Sequence, residues 1–294
     1  MLALDIGGTN VRYGIISDDK IISTENVYAT PRDCGEFLDS LIKTINAFPH
    51  ESYIVLGIPG TVNRKDGTID RAPNIPLEPN FSLSNYLASR FPSRVFALYN
   101  DADLIALGEY GETTPHLDDP FIILTLGTGI GSGIIIHKEL LHGNHGYGSE
   151  AGHIVINFQD DARVCSCGKK GCAEAYFSAK AFCEEHRLLT GISVENAENA
   201  LNYLHQFAPE SIEQALNAFA ASVAGLINVF HPSHVRYYGG LSSFVTANHD
   251  ILLNKIQSHL FSESIHSIDF SHSSLKESAY LYGAYYACKG ILDQ

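Results

Sequence analysis

A dense group of metal-ligating residue types lies near the middle of the chain. His153 is followed by Cys165, Cys167 and Cys172 in the spacing His-x₁₁-Cys-x-Cys-x₄-Cys. Zinc prefers four tetrahedral ligands of this kind, and a closed set of three cysteines and one histidine is typical of a structural site. The alternative is three buried cysteines that lie close together by chance. Because the spacing is so dense, we favour a structural Zn²⁺ site.

Two glycine-rich turns each follow a predicted strand. The first is Asp5-Ile6-Gly7-Gly8-Thr9-Asn10, and the second runs from Gly127 to Gly133. Glycine allows a backbone to approach a phosphate closely, with N–H groups directed at the anion, and Asp5 could hold Mg²⁺ through water. Two tight hairpins are the plain alternative. Neither turn has the spacing of a dinucleotide-binding or P-loop motif.

Asn100 and Asp101 follow a predicted strand, Arg94 to Tyr99. Ligands of α/β folds bind at the carboxyl ends of strands, where a carboxylate can accept the proton of an attacking hydroxyl group. The alternative is that Asp101 only caps the helix that follows. Further polar side chains could surround a polyhydroxylated ligand. These are Asn74, Asn100, Glu150, His153 and Glu174.

Composition limits the classes of partner. The chain has 294 residues, of which 45% are hydrophobic and 18% charged, and its net charge is −14. This length is sufficient for two lobes, and the acidic balance argues against a nucleic-acid partner. Nucleotide binding through backbone N–H groups stays open. The N-terminus shows no targeting segment, and no apolar run approaches the length of a membrane span, so we expect a cytoplasmic protein.

The same plan of strands, a glycine turn and helical crossovers occurs twice. The first copy opens with antiparallel strands joined by a turn at Asp18-Asp19. Helices are predicted at 37–48, 82–90, 209–230 and 280–292. A change in composition between Gly111 and Pro120 indicates a boundary. We therefore expect a small α/β domain of residues 1–113 with a C-terminal helix, 279–294. A larger α/β domain, 114–278, would carry the zinc motif.

Taken together, these motifs resemble the ROK family of sugar kinases and repressors, within the hexokinase/actin/Hsp70 ATPase superfamily. The resemblance runs essentially from end to end, and its most specific part is the Cys-rich motif, Cys165 to Glu174. The other matching motifs are Asp5 to Thr9, Gly57 to Gly60, Asn100-Asp101, Gly127 to Gly133, Glu150 to His153, and Gly239-Gly240-Leu241-Ser242.

The resemblance implies a two-domain actin-like ATPase (ribonuclease H-like) fold, with a duplicated β-meander, crossover helices and a cleft between the domains. It implies a sugar kinase that uses ATP and Mg²⁺, in which Asp101 takes the proton of the sugar 6-hydroxyl group. The implied sugar-binding residues are Gly60, Asn74, Asn100, Asp101, Glu150, His153 and Glu174. The implied ATP-binding residues are Asp5, Gly7, Gly8, Thr9, Asn10, Gly127, Thr128, Gly129, Gly131, Gly239 and Gly240. Members are commonly homodimers.

One departure bears on the substrate. Many glucose-using relatives carry Asn-Leu-Gly-Trp where this chain has Asn74-Ile75-Pro76-Leu77, and the chain contains no Trp. The four residues Asn74-Ile75-Pro76-Leu77 are closer to those of relatives that act on N-acetylhexosamines or allose.

Three rival functions exist within the family. A sugar-sensing repressor resembles this chain with an added N-terminal helix-turn-helix, and we expect none here because the first phosphate motif begins at Asp5. A non-catalytic sugar-binding protein is disfavoured by the presence of Asp101 and both glycine turns. A polyphosphate-dependent kinase stays open as an alternative, although the chain has no obvious basic track for a polyanion.

Overall fold

The computed structural model describes residues 1–17, 20–113, 120–262 and 268–290, which form twelve strands and nine α-helices. The strands are β1 Leu2–Ile6, β2 Asn10–Ser17, β3 Lys20–Ala29, β4 Tyr53–Ile58, β5 Thr61–Asn63, β6 Thr68–Arg71, β7 Val95–Asn100, β8 Phe121–Leu126, β9 Ile130–Ile136, β10 Glu139–Leu140, β11 His234–Tyr238 and β12 Asp269–His272. The helices are α1 Cys34–Asn46, α2 Leu83–Arg90, α3 Asp101–Thr113, α4 Ala179–Thr190, α5 Ala197–Phe207, α6 Pro209–Phe230, α7 Ser242–Ala247, α8 His249–His259 and α9 Ala279–Lys289.

Three features of the sequence prediction fall wholly or partly outside the described residues. These are the turn at Asp18-Asp19, the composition change within 114–119, and the end of the closing helix at 291–294.

Two five-stranded sheets repeat one arrangement. The first has the order β3-β2-β1-β4-β7, and the second has the order β10-β9-β8-β11-β12. In each, three strands consecutive in the chain are joined by two later ones, which extend the sheet in parallel. The hairpin β5–β6 is separate and antiparallel. This arrangement matches the predicted duplication of a meander with crossovers.

The register of the parallel strands aligns their carboxyl ends. In the first sheet, Asp5 of β1 pairs with Gly57 of β4, and Ile58 pairs with Asn100 of β7. In the second sheet, Tyr238 of β11 pairs with Thr125 of β8. Segments that follow neighbouring strands therefore begin at the same sheet edge, which is the ligand-binding edge of α/β folds.

The chain divides by contacts into two compact units. Unit 1 contains residues 1–117, 133–149 and 274–294, and unit 2 contains 118–132 and 150–273. The predicted domains place 133–149 in the second domain, whereas contacts place it in unit 1. The segment contacts the hairpin β5–β6, which belongs to unit 1. The Tyr147 hydroxyl donates to Asp70, and a Cβ on Gly146 would lie 2.2 Å from the carbonyl oxygen of Val62.

The core of unit 1 forms between α1 and the first sheet. Asp33 starts the helix, because its side chain accepts a hydrogen bond of 3.0 Å from the Glu36 N–H, as an N-cap residue does. Apolar residues at helical spacing then cover the sheet. The buried set includes Phe37, Leu41 and Ile45 of α1 with Leu2, Leu4, Leu56 and Ile58 of the strands.

Helices α3 and α9 pack at close range. A Cβ on Gly283 of α9 would lie 1.8 Å from the carbonyl oxygen of Leu104, and one on Gly108 of α3 would lie 2.0 Å from that of Ala279. The fully buried Glu109 carboxylate accepts hydrogen bonds from the backbone N–H and the hydroxyl of Ser274, at 2.6 and 3.0 Å. These contacts fix α3, the helix that begins with Asp101.

The core of unit 2 forms around α6, where the ring of Phe219 stacks on that of Phe177 at 4.2 Å. By length and composition α6 could cross a membrane, with a mean hydropathy of 1.2 over its 18-residue window. This corrects the expectation that no apolar segment approaches that length. However, 61% of the window is buried inside the protein. A core helix of a soluble protein meets the same test, so the finding is weak support for a membrane span.

Gly283→Ala is expected to lower the free energy of unfolding by about 1–3 kcal/mol, because the new methyl group overlaps the Leu104 carbonyl. Gly225→Ala in α6 is the matched control. No atom lies within 4 Å of its added Cβ, and alanine favours a helix by about 1 kcal/mol over glycine. Urea denaturation measures both variants, and equal midpoints would contradict this account of the α3–α9 contact.

Candidate functional site

Asn100 joins two strand ends of unit 1. Its side-chain N–H donates to the carbonyl oxygen of Gly60 at 2.9 Å. Its side-chain oxygen accepts from the N–H groups of Ala102 and Asp103, at 2.8 and 3.2 Å. Asn100 therefore performs the capping that was the alternative role of Asp101, and it ties the start of α3 to the turn after β4.

Asp101 is the first residue of α3 and is half-buried. One of its carboxylate oxygens accepts a 2.9 Å hydrogen bond from the Ala102 N–H. The positive end of the helix dipole favours a negative charge at this position. The structure thus places a carboxylate at the carboxyl end of β7, where a proton acceptor was predicted.

The first glycine turn is held closed by local hydrogen bonds. The Gly7 N–H donates to the Asn10 carbonyl at 2.8 Å, and the Thr30 hydroxyl donates to the Gly7 carbonyl at 2.6 Å. A Cβ on Gly8 would lie 2.8 Å from the Cβ of Asn74. The turn and the Asn74 segment are therefore neighbours, and a larger residue at position 8 would separate them.

Gly60 needs the conformational freedom of glycine. Its φ is +121°, and a Cβ there would lie 2.0 Å from the Arg71 carbonyl oxygen. With this turn in place, unit 1 brings together nine predicted site residues around one sheet edge and the Asn74 segment. They are Asp5, Gly7, Gly8, Thr9, Asn10, Gly60, Asn74, Asn100 and Asp101.

The second glycine turn lies in unit 2 beside a third glycine segment. The Gly127 N–H donates to the Gly129 carbonyl at 3.0 Å, and the Gly127 carbonyl accepts from the Ala179 N–H at 2.9 Å. Gly239, with φ of +118°, lies against the carbonyl of Leu126. The space beside the α-carbons of Gly127 and Gly240 is open. A ligand can therefore approach the backbone of both segments closely.

Glu174 links the glycine turn to the Cys-rich segment. One carboxylate oxygen accepts from the Ile130 N–H at 3.0 Å, and the other contacts the Ser166 hydroxyl and lies 3.5 Å from the Cys165 sulfur. A Cβ on Gly129 would lie 2.2 Å from the carboxylate. The predicted sugar-binding residue thus also supports the predicted phosphate turn.

Two contacts at this site were not predicted from the sequence. The buried Ser132 hydroxyl accepts from the Ala151 N–H at 3.1 Å, which anchors the segment after Glu150. The Ser166 hydroxyl contacts Glu174. The available sequence signal for these contacts is the position of each serine within a predicted motif. Ser132 lies in the glycine turn, and Ser166 lies between two cysteines.

The four predicted metal ligands converge. One nitrogen of His153 and the sulfur atoms of Cys165, Cys167 and Cys172 all lie within 4.8 Å of one another. Zinc lies about 2.3 Å from sulfur and 2.0–2.1 Å from nitrogen, which sets tetrahedral sulfur–sulfur and sulfur–nitrogen distances of roughly 3.8 and 3.6 Å. The structure has 3.7 Å between Cys167 and Cys172, and 3.5 Å from Cys165 to His153 Nδ1. The donor set therefore fits Zn²⁺.

The backbone of the Cys-rich segment is shaped by two glycines. Gly168 and Gly171 have φ of +85° and +83°, and a Cβ on Gly171 would lie 1.7 Å from the Asn157 carbonyl. Burial, with the adjacent thiols of Cys167 and Cys165 adding to it, raises the pKa of Cys172 to about 12. The Cys172 thiol therefore resists ionisation without a cation, and a bound metal would supply the missing positive charge.

His153 presents its two ring nitrogens to different groups. Nδ1 faces Cys165, while Nε2 lies 3.9 Å from a carboxylate oxygen of Glu150. A metal on Nδ1 would leave Nε2 available to a polar group, with Glu150 beside it. This is the arrangement required for the two roles predicted for His153.

Comparison with known proteins identifies the family. The sequence profile described as "ROK family" matches residues 1–290. The chain belongs to the ROK family. It is 30% identical to the glucokinase of Thermotoga maritima, over 97% of this chain and 95% of that protein. It is 29% identical to the N-acetyl-D-glucosamine kinase of Haemophilus influenzae, over 82% of this chain and 84% of that protein.

A solved structure supports the same conclusion. The ROK family glucokinase of Streptomyces griseus, in complex with glucose and AMPPNP, superposes with a TM-score of 0.76 and 26% identity, covering 96% of this chain and 97% of that one. The predicted actin-like ATPase fold is therefore confirmed, and so is the predicted kinship with sugar kinases of this family.

The metal centre is expected to hold one Zn²⁺ per chain, measured by elemental analysis of the purified protein. Cys167→Ser should lose the metal and lower the melting temperature, because a structural zinc site contributes to folding. Cys183→Ser in α4 is the matched control and should keep it. Absence of metal from the wild-type protein, together with equal melting temperatures for the wild type and Cys167→Ser, would contradict the assignment.

Proposed function

We propose that the protein transfers the γ-phosphoryl group of ATP to the 6-hydroxyl group of a hexose or an N-acetylhexosamine. The observation that carries this proposal is the position of Asp101. Its carboxylate stands at the start of α3, where Asn100 ties that helix to the turn at Gly60. The kinship with glucokinase and N-acetyl-D-glucosamine kinase supports the reaction class.

The proposed reaction is an in-line displacement. The sugar oxygen bonds to the γ-phosphorus, the bond from that phosphorus to the bridging oxygen breaks, and ADP leaves with the bond's electron pair. The hydroxyl proton passes to the Asp101 carboxylate, which also orients the attacking oxygen.

The remaining groups bind and orient. The N–H groups of the glycine turns, Gly7 to Asn10 and Gly127 to Gly131, would hold the ATP phosphates, and Gly239-Gly240 would lie beside the nucleoside. Mg²⁺ bound near Asp5 would neutralise phosphate charge during transfer. The sugar hydroxyls would be held by Gly60, Asn74, Asn100, Glu150, His153 and Glu174. We also propose a cytoplasmic homodimer.

A coupled ADP-release assay tests the proposal directly. With Mg-ATP, the candidate acceptors are glucose, mannose, fructose, allose, N-acetylglucosamine and N-acetylmannosamine. We expect strong turnover on at least one of them. Asp101→Asn should keep the fold and sugar binding while kcat falls by about 10²–10⁴-fold, because the proton acceptor is removed.

Asp103→Asn is the control for that variant. Its carboxylate lies on the same helix, 3.7 Å from His142 Nδ1, and it should keep most of the wild-type kcat. If Asp101→Asn retains near-normal kcat, Asp101 is not the base. Absence of turnover on all six sugars, from folded zinc-loaded protein, would favour another phosphate donor or a binding function.

Glu174→Ala is expected to raise KM for the sugar by about tenfold or more, through loss of charged hydrogen bonds. Ser166→Ala removes the hydroxyl contact with Glu174 and a 3.8 Å contact with the Cys165 sulfur, keeps the Glu174 carboxylate, and should have a smaller effect. Initial-rate kinetics with each substrate varied in turn separates the roles of Glu174. An unchanged KM for sugar with a raised KM for ATP would show that Glu174 serves only the glycine turn.

A further inference from the structure

A cavity lies within unit 1, and none of the described residues that line it is assigned above to the sugar, ATP or metal sites. It has a volume of about 210 Å³ and is bordered by the turn of the hairpin β5–β6, the end of β7, and parts of α3, β10 and α9. Since a water molecule takes about 30 Å³ in the liquid, and pockets for drug-sized ligands begin near 300 Å³, the cavity suits a small metabolite.

Arg64 forms the polar wall of this cavity. Its guanidinium carbon lies 4.1 Å from the centre of the Tyr99 ring, and one of its nitrogens donates to the Tyr99 hydroxyl at 2.8 Å. Tyr99 is itself buried. Within the described part of the chain, no carboxylate pairs with Arg64. In a chain of net charge −14, an arginine held in this way has donors to offer to an anion.

His142 also contacts Arg64. A terminal nitrogen of Arg64 contacts His142 Nε2, and His142 Nδ1 lies 3.7 Å from the carboxylate of Asp103, which is mostly buried. Because the guanidinium can only donate, Nε2 accepts and Nδ1 carries the proton toward Asp103. Arg64 is exposed to solvent, but its guanidinium is held by contacts with both the Tyr99 ring and the His142 imidazole.

The rest of the lining is mainly apolar. Leu107 of α3 and Leu140 of β10 form part of the wall, and Tyr286 borders it while its hydroxyl donates to Glu112 at 2.6 Å. Of the described residues that line the cavity, only Glu139 is acidic, and it is exposed to solvent. An arginine beside an apolar wall fits a small molecule with one anionic group and a short carbon skeleton.

We propose that this cavity binds a small organic anion, a carboxylate or a phosphate ester, through the guanidinium of Arg64. None of the described lining residues is among the proposed sugar, ATP and metal residues, although Tyr99 directly precedes Asn100. Its wall includes Leu107, so the ligand would contact α3, the helix that begins with Asp101.

The test uses the full chain without sugar or ATP, so that its result does not depend on the proposed kinase activity. Inorganic phosphate and citrate are titrated separately into protein labelled with ¹³C at the histidine rings. The His142 signal is assigned with His142→Gln. We expect a saturable shift of this signal with at least one of the two anions, and the responding anion identifies the phosphate or the carboxylate class.

Variants locate the binding. Arg64→Met should weaken it by about tenfold or more, and Glu139→Gln should tighten it by removing a like charge. Arg90→Met is the matched control, since Arg90 stacks on Tyr86 at 3.5 Å outside the cavity, and its affinity should equal that of the wild type. Arg64→Lys, which keeps the charge, replaces Arg64→Met if that variant unfolds, and should also weaken binding. No saturable shift with either anion, or equal affinity in a folded Arg64 variant, would overturn the proposal.

Discussion

The hydrogen bonds of the Asn100 side chain are the constraint on which the candidate catalytic carboxylate depends. One amide group satisfies two N–H groups at the start of α3 and the carbonyl of Gly60. It therefore fixes the helix end that carries Asp101 and ties it to a turn that only glycine can form. The close packing of α3 on α9 and the buried Glu109 hold the rest of that helix in place.

In unit 2 the corresponding connection is the Glu174 carboxylate. It joins the N–H of Ile130 in the glycine turn to the side chains of the Cys-rich segment. A metal held by His153 and the three cysteines would therefore support the glycine turn, although no metal ligand belongs to that turn. Loss of zinc would therefore disturb the glycine turn and so slow the proposed reaction, although the zinc takes no direct part in it.

Much of this was predictable because the relevant residues are local signals. Pro209 to Phe230 was predicted as a helix from its apolar spacing, and the structure has the same bounds. Helices α4 and α5 were missed, although Ser178, Gly191 and Asn196 are capping residues that indicate their ends. The contacts of Ser132 with Ala151 and of Asn100 with Gly60 join residues 19 and 40 positions apart, so residue type and spacing did not reveal them. Arg64 and His142, which are 78 positions apart, were missed for the same reason.

The proposed function requires that the terminal phosphoryl group of ATP passes to the 6-hydroxyl group of a sugar. The most direct test is to identify the product by ³¹P and ¹³C NMR after incubation with Mg-ATP and the preferred sugar. The account predicts a phosphate ester whose phosphorus couples to C6 of the sugar, with ADP formed in equal amount. Phosphate on another oxygen would contradict the predicted position of attack, and release of inorganic phosphate alone would contradict transfer to a sugar.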